Sequence, residues 1–76
     1  MNFENNVLSI LSFASTRSTW VSVSSCVERC NLDYRTVWNY FTRDDMAQIA
    51  RFYRYEYCVR RRHGGFYLSV VSRGYA

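Results

Sequence analysis

The sequence predicts a small α+β domain in which helices come first and a β-hairpin last. Three observations predict it. Apolar residues recur at intervals of three and four as far as Phe41, the period of a helix face. From Arg51 they alternate with polar residues, the period of a half-buried strand. Gly64-Gly65 then divides the alternating stretch in two, as a tight turn between paired strands does.

A chain of 76 residues that is 49% apolar folds as one domain, 1–76, around one small core. It has no Pro and nothing that marks a linker. No apolar run approaches the roughly 20 residues that a membrane span needs. No basic stretch precedes the first apolar residues, so a signal peptide is not expected. The expectation is a cytoplasmic protein with no membrane partner. The net charge is +4, and every basic side chain is Arg, with no Lys. Arg offers a planar fork suited to phosphate and to guanine edges, whereas a crowded ion-pair surface is the plainer reading of the same balance.

Residues 3–15 are expected to form the first helix, capped by Asn2 or Asn5, with Phe3, Val7, Leu8, Leu11 and Ala14 on one face and Ile10 on its shoulder. Ser15 to Thr19 is a polar connector. Thr19 to Val21 is β-prone and leads into the next helix, with Trp20 expected in the core beneath the first helix.

The chain is organised around residues 22–41. Ser22 can cap a short helix, because its hydroxyl can accept from an orphan backbone N–H. Val23, Cys26, Val27 and Cys30 form one face of that helix. Asn31 falls where the chain needs a left-handed residue, Leu32 plugs the turn, and Asp33 caps a second helix. Val37, Tyr40 and Phe41 face inward. Tyr34, Arg35, Trp38, Asn39, Thr42 and Arg43 face outward, and they can hydrogen-bond, stack or carry positive charge. This helix is expected to run to about Asp45 or Ala47, where two carboxylates oppose the helix dipole.

Tyr53, Tyr55, Tyr57 and Val59 alternate with Arg54, Glu56, Cys58 and Arg60 in one strand. Phe66, Leu68 and Val70 alternate with Tyr67, Ser69 and Val71 in the next. Between the strands lies Arg60-Arg61-Arg62-His63-Gly64-Gly65. The tail after Ser72 is expected to fray. Helix, short strand, helix, turn, helix and hairpin make a winged helix-turn-helix, since a lone hairpin is marginal without helices to cover it.

That architecture sets the functional expectation: a sequence-specific double-stranded DNA-binding transcriptional regulator. Tyr34, Arg35, Trp38, Asn39, Thr42 and Arg43 would enter the major groove, where Arg35 suits guanine and Asn39 adenine. Arg60, Arg61, Arg62 and His63 would lie on the phosphates, or one Arg would reach the minor groove. The alternative is a winged-helix module that binds a regulator or polymerase subunit without reading DNA, with Tyr34 and Trp38 as its anchors. The Tyr53, Tyr55 and Tyr57 row reads as a packed strand face rather than a stacking platform.

An enzyme is not expected: there is one His, no phosphate-binding loop, and Asp44 and Asp45 diverge on a helix. Cys26, Cys30, Cys58 and His63 form a conceivable zinc set, but Cys26 and Cys30 occupy positions that call for small apolar side chains. No metal or cofactor is expected. A weak homodimer is expected through Phe3, Ile10 and Phe13, which spread beyond a narrow core stripe.

The chain resembles small bacterial winged-helix transcription regulators, including those encoded by mobile elements. In particular it resembles the CaiF/GrlA-type activators. The likeness rests on Trp20-Val21, Leu32-Asp33-Tyr34-Arg35, Tyr40 and Arg54-Tyr55-Glu56-Tyr57-Cys58, within about half of the chain. It implies a DNA-binding regulator controlled by a small partner protein.

Overall fold

A computed structural model describes residues 2–74. The chain forms α1 (Phe3–Ser15), β1 (Val21–Ser22), α2 (Val23–Cys30), α3 (Tyr34–Arg43), α4 (Ala47–Phe52), β2 (Tyr55–Arg62) and β3 (Gly65–Ser72). It is an α+β arrangement with a three-stranded antiparallel sheet in the order β1-β3-β2. Among the described residues, no helix is long and apolar enough to cross a membrane.

Local chemistry sets the middle of the chain as its residues suggest. Asn2 caps α1 by accepting from the Asn5 N–H at 3.2 Å. The Ser22 hydroxyl accepts from the Ser25 N–H at 3.1 Å and starts α2. Asn31 takes the left-handed conformation, φ 54°, and Leu32 closes the turn with its N–H on the Val27 carbonyl at 3.2 Å. The Asp33 carboxylate then accepts from the Thr36 N–H at 3.2 Å and starts α3. Both helices end in the same way, with a left-handed residue followed by an N–H that reaches five residues back. Val23, Cys26, Leu32, Val37, Tyr40 and Phe41 are buried there, against Val7, Ile10, Leu11 and Ala14 of α1 and Leu68 and Val70 of β3.

The structure corrects the sequence reading in five places. First, α3 stops at Arg43, because Asp44 turns left-handed (φ 56°), and a fourth helix follows where none was expected. That helix is six residues long and has no side-chain cap; Met46 and Ala50 bury its inner side. Second, the strands run further into the arginine run than expected. Arg62 pairs with Gly65, so the loop is only His63 and Gly64, both at positive φ (51° and 76°), as a two-residue turn of the I′ kind requires. Third, Tyr53 and Arg54 precede β2 instead of opening it, with Arg54 at φ 64°.

Fourth, Trp20 is not beneath α1. Val21 is buried and pairs with Leu68, so the residue before it projects to the opposite side of the sheet. Fifth, Ile10 is fully buried, Phe3 sets its ring edge-on to Tyr40 at 5.3 Å, and Phe13 is covered by the Arg17 and Arg29 guanidinium groups. The apolar stripe proposed for self-association therefore does not exist as one surface. The ladder also outlasts Ser72: the Arg73 N–H donates to the Arg54 carbonyl at 2.8 Å, and the Arg73 guanidinium pairs with Glu56 at 2.7 Å. The last two residues of the expected frayed tail, Tyr75 and Ala76, lie outside the described residues.

Candidate functional site

The outer face of α3 is built by helical spacing. Arg35, Asn39 and Thr42 follow at four and three residues, and Arg43 lies one turn beyond Asn39, so they share a side. Tyr34, Arg35, Thr42 and Arg43 are exposed, and Asn39 is half-buried. The Thr42 hydroxyl donates back to the Trp38 carbonyl at 3.0 Å, which leaves its oxygen free to accept. Trp38 departs from the expectation of a wholly outward side chain. It is half-buried and packs on the core, with its ring edge-to-face with Phe66 of β3 at 4.9 Å and stacked with Tyr34 at 6.1 Å.

This packing joins α3 to the hairpin. Phe66 pairs with Arg61 across the two strands, and the Arg61 guanidinium lies 5.6 Å from the Phe66 ring centre. Tyr34, Trp38, Phe66 and Arg61 thus form one continuous ladder of aromatic and cationic contacts from helix to hairpin tip. Tyr34, Arg35, Trp38, Asn39 and the turn residue Gly64 line an open groove of about 470 Å³.

The arginine run does not act as a unit. Residues directly opposite in an antiparallel pair share a face, and successive residues alternate. Arg61 pairs with Phe66 on the helix-facing side, like Val59 with Leu68 and Tyr57 with Val70. Arg60 pairs with Tyr67 on the outer side, where its guanidinium lies 4.8 Å from the Trp20 ring centre. Arg60 and Arg62 line a separate groove with Trp20 and Tyr67. Of the ten site residues expected, four line the α3 groove and two lie on the other face of the sheet. The sequence reading missed Phe66 as the bridge. Carrying the Tyr57–Val59 alternation on through Arg61 would have found it.

None of the arginines expected at the site is in an ion pair among the described residues. Among the described residues the one ion pair is Arg73 with Glu56, so the crowded ion-pair surface is not what is found. Two carboxylates at the ends of α3 have other partners: Asp33 caps the helix, and Asp44 accepts from the Tyr57 hydroxyl. Burial pushes the Cys26 thiol up to about 12 and raises Cys30 as well, so both stay protonated beside the core. Cys58 sits apart, exposed on the outer face of β2. Among the described residues no three His, Cys, Asp or Glu side chains come together as a metal set.

No family model, curated protein or solved structure matches the chain.

Proposed function

We propose that this is a winged-helix, sequence-specific double-stranded DNA-binding regulator in which α3 enters the major groove. The order of its elements and the β1-β3-β2 sheet are compatible with that architecture. The observation that carries the reading is the α3 groove. There a helix face bearing Arg35 and Asn39 adjoins the hairpin turn at Gly64, Arg61 follows on the Phe66 ring, and among the described residues neither arginine is in an ion pair. Arg35 is suited to the O6 and N7 of guanine, and Asn39 to the N6 and N7 of adenine. Arg43 and Thr42 are suited to phosphate at the far end of the helix, and Arg61 to phosphate beside the wing. His63 sits in the turn, where it can reach the same backbone. On this reading the protein is cytoplasmic and non-enzymatic. The CaiF/GrlA resemblance adds a small regulatory protein partner to the proposal.

A second reading has its own support. Tyr34 is 51% exposed and backed by the ordered Trp38 ring, which makes a rigid aromatic anchor for a protein partner. Selection from random duplexes separates the two. Under the DNA reading a motif is enriched, and Arg35→Ala weakens binding to it by about 1–3 kcal/mol and relaxes the base preference at one position. Enrichment of no motif, with Arg35→Ala indistinguishable from wild type, would leave the protein-docking reading standing.

A further inference from the structure

The outer face of the hairpin carries a second basic and aromatic surface that the α3 groove does not use. Trp20, Arg60, Arg62 and Tyr67 enclose a shallow space of about 260 Å³. That is below the size of a drug-like pocket but suits one planar ring and its substituent. The Arg60 guanidinium already lies 4.8 Å from the Trp20 ring centre. A second groove of about 380 Å³, which shares Trp20 with the first, continues along the connector and α2. In it Arg17 and Arg29 sit over the Phe13 ring at 5.0 and 5.2 Å. Glu28 is the single carboxylate lining either groove. None of the four arginines is in an ion pair among the described residues.

We infer that this face holds a single-stranded nucleic acid, with a base stacked at Trp20 and flanking phosphates on Arg60 and Arg62 to one side and Arg17 and Arg29 to the other. Three features of the site select that occupant. Four arginines meet one lining carboxylate, Glu28, and none of them is in an ion pair among the described residues, so the ligand is anionic. Flat aromatic and guanidinium surfaces alternate along two grooves that meet at Trp20, which suits a polymer with repeating planar groups better than one small anion. A stacked base needs an open face, which an unpaired strand offers and a duplex does not. The Trp20–Tyr67 groove lies on the sheet face opposite α3, and Arg17 and Arg29 lie on the connector and α2; neither groove includes a residue of α3, so the inference stands independently of duplex reading.

The test uses Trp20 as its own reporter. In a Trp38→Phe background, an oligothymidylate of about ten nucleotides should quench the remaining tryptophan fluorescence. Oligouridylate is the parallel arm that separates DNA from RNA. The double change Arg60→Ala, Arg62→Ala should weaken binding about tenfold, and Arg35→Ala should leave it unchanged. In the otherwise unaltered protein, Trp20→Ala should weaken binding of a labelled oligonucleotide, read by anisotropy, to a similar degree. Absence of binding to both oligonucleotides would overturn the inference. So would affinity that survives Trp20→Ala, or competition by inorganic polyphosphate as strong as that by the oligonucleotide, since either would show charge attraction without stacking.

Discussion

The two faces of the β2–β3 hairpin differ in what holds their side chains. On the inner face, Tyr57, Val59, Phe66, Leu68 and Val70 pack under the helices, and Leu68 is fully buried. On the outer face, Cys58, Arg60 and Arg62 are exposed, and Tyr67 and Ser69 are half-buried. The arginine run crosses between these environments one residue at a time. Arg61 lies on the core side against Phe66, whose ring meets Trp38 of α3, while Arg60 and Arg62 lie over the sheet's outer surface. One stretch of three identical residues therefore serves two surfaces, because strand alternation overrides composition.

The largest effect expected of this difference is on stability. Leu68→Ala leaves a cavity beneath the inner face of the sheet, and should cost about 2–5 kcal/mol. Ser69→Ala, the next residue on the opposite face, should stay within about 0.5 kcal/mol. Urea unfolding of the two variants makes the comparison directly. Equal losses would mean that the outer face is also packed, in this chain or against another molecule.

A smaller effect separates the arginines. Arg61→Ala should lower duplex affinity and reduce the slope of log K against log salt by about one unit, as one lost phosphate contact does. Arg60→Ala, on the far side of the same strand, should leave that slope unchanged. Titrations of both variants against one duplex at several salt concentrations check this. A matching loss in both would mean that the duplex wraps the hairpin tip and that the division by face has no functional weight.

What the sequence made legible follows the same physical division. The stretch from Ser22 to Phe41 could be read residue by residue, because its boundaries depend on side chains bonding to backbone three positions away and on one residue suited to a left-handed turn. Ser22, Asn31 and Asp33 each act within one turn of themselves. The helix-facing alternation of Tyr57 and Val59 was legible for the same reason. Features that depend on distant contacts were not. The fourth helix has no cap and is fixed by Met46 and Ala50 reaching the core. The position of Trp20 follows from Val21 pairing with Leu68, a partner more than forty residues away in sequence. The hairpin turn fell on His63-Gly64 rather than Gly64-Gly65. Two glycines offer two places for positive φ, and the pairing of Arg62 with Gly65 decides between them.

The smallest effect concerns a bond that ties the inner face of the hairpin to the end of α3. The Tyr57 hydroxyl donates to the Asp44 carboxylate, and Asp44 is the left-handed residue that ends the helix carrying the proposed DNA contacts. Burial is the main reason that the Tyr57 phenol is raised well above its ordinary range; the bond to Asp44 and the charges of Asp44 and Asp45 add to it. Removal of the hydroxyl in Tyr57→Phe should cost about 0.5–1 kcal/mol, less than a buried charge-assisted bond, because Asp44 is open to solvent. The pH dependence has a definite sign. The group binds its proton more tightly when folded, so its contribution is complete below the unfolded value of about 10 and is lost as pH rises through the folded value. The stability gap between wild type and Tyr57→Phe should therefore stay constant from neutral pH to about 9 and close above 10. Tyr53→Phe provides the comparison on an exposed pair. Tyr53 donates to Glu4 across the α1–α4 surface, and that bond raises its phenol too, but solvent screens the pair fully and its gap should be smaller throughout. Thermal unfolding of the three proteins across that pH range measures both gaps. A Tyr57→Phe gap that widens above pH 10 would mean that the phenol is not the proton donor holding Asp44 in place.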